Sequence, residues 1–234
     1  MVQLYSVKIE NYENNIEDIL YLLSEERKKR ILRLRQIPDR IRGVVAETLV
    51  RTLIIHRLNI DNNDITLCIN NFGKPYLKEY PEFQFNISHS GDYVLCAISD
   101  RPVGIDIEEI KDIDLKIADR FFTNSEINYI NQATNENRIK RFYSIWTAKE
   151  SYIKFIGEGM SIPLNSFTIE IFDKAIKLYE CNGQIITEPS CYFKSYNISE
   201  KYKTTLCSQS PYHSDVIHFK FSDLFEEFTK IAYK

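Results

Sequence analysis

An α+β fold made of two similar halves is what this 234-residue sequence predicts, and three observations predict it. Elements run in the order helix, strands, helix, strands, with turns between the strands of the kind that join antiparallel meanders. Short stretches repeat: Ala46-Glu47 with Arg51 resembles Ala148, Glu150 and Lys154, and Asp92-Tyr93-Val94-Leu95-Cys96 resembles Tyr202 to Cys207. No linker-like composition separates the halves, so the junction is expected at Pro102, dividing the chain into 1–103 and 104–234.

Leu4–Glu10 alternates as a strand does, and Ile16, Ile19, Leu20 and Leu23 give Asn14–Leu23 helical spacing. A basic helix follows. Ser24 opens it, Glu25 and Glu26 suit the dipole of its first turn, and Pro38 is expected to break it. Asp39–Leu58 then reads as one amphipathic helix. Asp64–Asn70 is a strand, Asn71-Phe72-Gly73-Lys74-Pro75 a turn, and Phe83–Ser88 and Tyr93–Ser99 are strands joined through Ser90-Gly91-Asp92. Beyond Asp100-Arg101-Pro102 come a strand over Val103–Glu108 and helices over Leu115–Phe122, Ser125–Ala133 and Asn137–Ile156. Strands return over Ser166–Phe172, Ala175–Glu180, Cys191–Tyr196 and Thr204–Ser208.

A net charge of -3 provides no global positive field for nucleic acid or an anionic membrane, so anion chemistry has to come from local clusters. No apolar run is long enough to span a bilayer and the first residues lack a leader pattern, so the cytoplasm is the expected location. Cys68, Cys96, Cys181, Cys191 and Cys207 lack zinc-site spacing and are read as structural thiols.

Four clusters carry chemistry. In Gly104-Ile105-Asp106-Ile107-Glu108, strand periodicity puts Asp106 and Glu108 on one face, two hard oxygen donors that suit magnesium gripping a diphosphate; a solvated edge strand explains the pentapeptide equally simply. In Trp146-Thr147-Ala148-Lys149-Glu150-Ser151-Tyr152-Ile153-Lys154, helical spacing aligns Trp146, Glu150 and Lys154, which is either a third carboxylate beside a phosphate-pairing ammonium or an ordinary i,i+4 pair. Phe85-Asn86-Ile87-Ser88-His89-Ser90 gathers small hydrogen-bonding groups around one imidazole, and Lys74 lies in a tight turn between Gly73 and Pro75. Arg27, Lys28, Lys29, Arg30, Arg33 and Arg35, with Arg40 and Arg42, form the one dense basic cluster, read as a solvated helix face or as a phosphate clamp.

Taken together and in this order, the Gly73-Lys74-Pro75 turn, Phe85-Asn86-Ile87-Ser88-His89-Ser90, Gly104-Ile105-Asp106-Ile107-Glu108, Arg120-Phe121-Phe122-Thr123-x-x-Glu126 and Trp146-x-x-Lys149-Glu150-Ser151-x-x-Lys154 resemble the surfactin-type 4'-phosphopantetheinyl transferases over nearly the whole chain. The resemblance implies a pseudo-twofold α+β monomer with coenzyme A bound between the halves, the 3'-phosphate and adenine toward the first and the metal and carrier protein toward the second. It implies Asp106, Glu108 and Glu150 as magnesium ligands, with manganese satisfying the same donors. Lys154, Lys74 and Pro75 match coenzyme A contacts, and Ser88, His89, Arg27, Arg30 and Arg42 match the surroundings of its 3'-phosphate. Arg27 and Arg30 stand where lysine is frequent in relatives, and Gly43 where a hydroxyl residue is.

The implied reaction moves the phosphopantetheine arm of coenzyme A onto a serine of an acyl or peptidyl carrier protein. Glu150 is the preferred base, Glu126 a second candidate, Lys154 the group balancing charge on the leaving side, and Phe155–Leu164 part of the carrier surface. Two rival readings are a magnesium nuclease and a nucleic-acid-binding module built on the basic cluster. The first wants a lysine where Ile110 stands, and the second conflicts with the negative net charge.

Overall fold

The computed structural model describes residues 1–10, 19–173, 175–180, 183–187 and 189–232. Strand β1 (Val2–Lys8) leads to helices α1 (Glu25–Leu32) and α2 (Ile37–Leu58), the hairpin β2 (Leu67–Ile69) and β3 (Pro75–Leu77), then β4 (Gln84–Ser90) and β5 (Tyr93–Ser99). Next come β6 (Val103–Glu109), helices α3 (Ala118–Phe121), α4 (Asn124–Asn131) and α5 (Asn135–Ile156), the hairpin β7 (Phe167–Phe172) and β8 (Ala175–Glu180), and β9 (Tyr192–Tyr196) and β10 (Tyr202–Ser208). Strand β11 (His213–Phe219) and helix α6 (Phe221–Ala232) complete the order.

The duplication is visible in topology. Each half supplies a strand, a 22-residue helix, a two-stranded hairpin and two further strands. The pairings match as well: β1-β5-β4 in one sheet and β6-β10-β9 in the other, antiparallel throughout. The halves are nonetheless not consecutive segments, because β11 pairs in parallel with β1 and α6 packs on α2 through Leu224 and Phe228. The last strand and helix of segment 104–234 therefore belong physically to the first sheet.

Alternation along each strand decides the layers. In β5, Val94, Cys96 and Ile98 pack with Val45, Leu49 and Leu53 of α2, while Leu95 and Ala97 join Val103, Ile105, Ile107 and Leu206 between the two sheets. On the far side, Ala148 and Tyr152 of α5 pack with Cys207 of β10. Helix α5 lies so close to β6 that a Cβ on Gly104 would sit 2.1 Å from the Ser151 carbonyl oxygen, so only glycine fits there. The sheets also touch at their edges. Backbone N–H groups of Ile105, Ile107 and Glu109 donate to side chains of Asn86, Ser88 and Ser90, at 2.8, 3.3 and 3.0 Å, in place of a strand ladder. At the other edge, Lys194 and Tyr196 donate to the Ser214 carbonyl.

Some boundaries differ from expectation for identifiable reasons. Pro38 starts α2 instead of ending the basic helix, since proline fits the first helical turn, and the break falls at 33–36. The expected strand Asp64–Asn70 is shortened to β2 by a 3₁₀ turn over Asn62–Asp64. Residues 14–18 of the expected helix Asn14–Leu23, and Cys181, lie outside the described residues. Cys68, Cys96, Cys191 and Cys207 are free thiols.

Candidate active site

A cleft of about 1200 Å³ runs between the halves, walled by α1, α2 and the β2–β3 hairpin on one side and by β6 and α5 on the other, with β4 along its floor. Arg27, Arg30, Pro75, Ser88, His89, Asp106, Glu108, Trp146, Glu150 and Lys154 all line it. These residues are far apart in sequence, and it is the sheet topology that brings them together.

On the acidic wall, Asp106 is 3 % exposed and its Oδ1 receives Lys154 Nζ at 2.6 Å and Ser88 Oγ at 3.0 Å. Lys154 Nζ also donates to Ser88 Oγ at 3.0 Å. Asp106 Oδ2 is buried with no hydrogen-bond partner among the described residues, a condition that costs free energy unless a ligand satisfies it. Ser90 holds Glu108 in the same way, donating to its Oε2 at 2.9 Å. The serines that stitch β4 to β6 thus also aim the carboxylates.

Burial first, and like charge second, raise the proton affinity of this wall. Burial pushes Glu108 up to about 7, with the nearby charge of Asp106 adding to the effect. Burial also raises Asp106, against the opposing pull of Lys154, and raises Glu150, again helped by Asp106. Glu150 makes no ion pair among the described residues. The three carboxylates expected to share one ion all line the same cleft. Among the described residues, however, no three acidic, histidine or cysteine side chains are gathered tightly enough to form a ready metal cage, and Lys154 occupies Asp106.

On the basic wall, Arg27 Nε lies 2.7 Å from Glu47 Oε2, and Arg51 Nε donates to Glu47 Oε1 at 2.8 Å. Arg30 stands exposed at the rim. Desolvation, then the positive charges of Arg42 and Lys154, press the His89 imidazole below its usual value. Glu47 and Arg51 were readable as an acid and a base one turn apart inside an otherwise apolar helix, a spacing that marks a buried pair.

Three expected site residues go elsewhere. Lys74 turns away from the cleft and donates to the carbonyls of Val103, Lys154 and Phe155 at 3.0, 2.6 and 3.4 Å, capping the end of α5 and tying it to the first half. Asn70 supports this tie by donating to the Gly157 carbonyl at 2.9 Å. Arg42 is bound to Asp39 and to the Gly91 carbonyl and is not part of the cleft lining. Glu126 is buried: its Oε2 accepts from Thr123 N at 2.8 Å in a capping box, while its Oε1 accepts from Ile169 N at 2.7 Å and pairs with Lys149 at 2.8 Å. It has no access to a substrate in the cleft.

A cleft with carboxylates and an ammonium on one wall and arginines on the other belongs to an enzyme acting on a phosphorylated substrate. The family model described as 4'-phosphopantetheinyl transferase, N-terminal, matches residues 10–101, and that of the 4'-phosphopantetheinyl transferase superfamily matches residues 102–207. The chain is 37 % identical to the 4'-phosphopantetheinyl transferase gsp of Aneurinibacillus migulanus, covering 89 % of this chain and 86 % of that protein. It is 32 % identical to the 4'-phosphopantetheinyl transferase Sfp of Bacillus subtilis, covering 93 % and 91 % respectively. The chain belongs to the 4'-phosphopantetheinyl transferase family. Among the described residues no helix is long and apolar enough to cross a membrane.

Proposed function

We propose that the cleft binds coenzyme A and that the enzyme transfers its 4'-phosphopantetheine to a serine of an apo acyl or peptidyl carrier protein. The observation that carries this reading is the pairing of Asp106 and Lys154, with one carboxylate oxygen left unsatisfied, across one cleft from Arg27 and Arg30. The basic wall takes the adenosine 3'-phosphate end, with His89 beside it, and the diphosphate lies against Lys154, Ser88 and the carboxylates.

Asp106, Glu108 and Glu150 are hard oxygen donors carrying three formal negative charges against the single positive charge of Lys154, and Asp106 Oδ2 lacks a partner. A divalent magnesium ion fits that imbalance. When bound, it would screen the diphosphate and polarise its oxygens.

Glu150, half-buried and unpaired with a raised proton affinity, accepts the proton of the carrier serine hydroxyl. The serine Oγ forms a bond to the β-phosphorus, and the bond from that phosphorus to the bridging oxygen breaks. Adenosine 3',5'-bisphosphate departs with its charge balanced by Lys154 and takes up the proton in the end. Positioning and electrostatics dominate such transfers.

Incubation with magnesium, coenzyme A and an apo carrier domain, followed by weighing of the carrier, is the direct test. The expected result is a mass gain of one phosphopantetheine on the carrier serine. No gain across several acyl and peptidyl carriers rejects the reading.

A further inference from the structure

The second half lines the cleft with Glu150 and with Lys154 paired to Asp106, whereas the first half offers an acid and a base one turn apart, Glu47 and Arg51, that are engaged with each other. Glu47 is 4 % exposed and Arg51 5 %, and Arg51 is fixed further by Nη1 donating to Asn62 Oδ1 at 2.9 Å and to its carbonyl oxygen at 3.2 Å. Asn62 in turn donates to the Leu22 carbonyl at 3.2 Å. A carboxylate buried this deeply between two guanidinium groups, hydrogen-bonded to Arg51 and ion-paired with Arg27, is a mount of one net positive charge.

Arg27 is the exposed member of the set, with 28 % of its side chain accessible on the cleft wall. Its Nε lies 2.7 Å from Glu47 Oε2 as an ion pair without hydrogen-bond alignment, and among the described residues its terminal nitrogens have no ion-pair partner. A guanidinium drawn through Nε to a buried carboxylate has its two terminal nitrogens turned from that carboxylate, and together they form a fork that matches two oxygens of a phosphomonoester. An arginine without that anchor reaches freely into water and must be ordered at each binding event.

We propose that Glu47 is a positioning residue for substrate recognition: through its ion pair it holds Arg27 as an oriented fork for the phosphomonoester on the ribose of coenzyme A. Arg51 and Asn62 keep Glu47 in place, so the specificity of the cleft for the 3'-phosphorylated nucleotide is set by a carboxylate that does not touch it. This inference rests on the reading of the cleft as a coenzyme A site.

Steady-state turnover with coenzyme A and with 3'-dephospho-coenzyme A, for the wild type and Glu47→Gln, tests it. The expected KM for coenzyme A rises roughly tenfold, the value for losing one oriented charge-assisted contact, while kcat and the KM for 3'-dephospho-coenzyme A stay within about twofold. Equal changes for both substrates, or a fall in kcat alone, overturn the proposal and leave Glu47 as a packing residue. Glu47→Asp, which keeps the charge but shortens the reach, should fall between the two and serves if Glu47→Gln does not fold; a KM for coenzyme A unchanged in Glu47→Asp likewise counts against it.

Calorimetric titration with adenosine 3',5'-bisphosphate and with adenosine 5'-monophosphate separates this inference from the reaction on which it rests. If the wild type transfers nothing to any carrier yet prefers the bisphosphate, and Glu47→Gln erases that preference, the positioning role stands and the transfer reading falls. No preference in the wild type removes both.

Discussion

Replacing Glu126 with glutamine keeps the shape of the side chain and removes its charge, leaving the ammonium of Lys149 in a site where both side chains are 0 % exposed. Lys149 keeps the Leu164 and Phe167 carbonyls, at 2.8 and 2.6 Å, but a fully buried cation without its counter-charge costs about 3–5 kcal/mol. For a chain of this size each kcal/mol lowers the melting temperature by roughly 2–4 °C, so Glu126→Gln should melt on the order of 6–20 °C below the wild type. The double variant Glu126→Gln/Lys149→Met removes both charges and should recover much of the loss. Thermal melts read the first effect, and turnover measured well below the melting range reads catalysis, which should stay within a few-fold of the wild type. An unchanged melting temperature with turnover reduced a thousandfold would refute the structural role and return Glu126 to the reacting groups.

Asp106→Asn and Glu150→Gln should each lower transfer to the carrier by roughly three decades without loss of fold, as judged by circular dichroism and melting, because several kcal/mol of charge stabilisation are removed; full activity in either rejects the assignment. Gly104→Ala forces a methyl to within 2.1 Å of the Ser151 oxygen and 2.3 Å of the Phe155 nitrogen, so α5 has to move. Stability should fall by about 3 kcal/mol, and turnover by about a hundredfold as Glu150 and Lys154 are displaced, read by denaturant unfolding and kinetics. Lys74 is lowered from 10.5 to about 8 by burial, so between these limits the unfolded chain holds the extra proton and the fold gains stability as pH rises. The melting temperature of the wild type minus that of Lys74→Met should therefore climb from pH 8 to pH 10.5, and a flat difference contradicts this.

Most of the layered fold could be read from periodicity, because strands such as Tyr93–Ser99 and the long helix ending at Ile156 carry strong, uninterrupted patterns. Strand β11 could not, since His213-Ser214-Asp215-Val216-Ile217-His218-Phe219 mixes polar and apolar residues and is fixed by parallel pairing to a strand two hundred residues earlier. Helix α6 is legible, because Phe221, Leu224, Phe225 and Phe228 keep helical spacing. At the site, the short side chains Asp106, Glu108 and Ser88 are where their strands put them. Long side chains are less predictable, because Lys74 reaches past the cleft to backbone carbonyls and Arg42 folds back on Asp39. Glu126 carried a visible warning in Thr123-x-x-Glu126, the sequence of a helix cap.

The return of β11 to the side of β1 bears on how the protein is made. As the chain emerges from the ribosome, β1 can meet β5 early, but its other edge waits until some two hundred further residues have been translated. The sheet built on β1 is thus finished last although it is begun first. A nascent chain halted before His213 carries an open strand edge and an uncovered apolar face of α2, the surface a chaperone would have to guard.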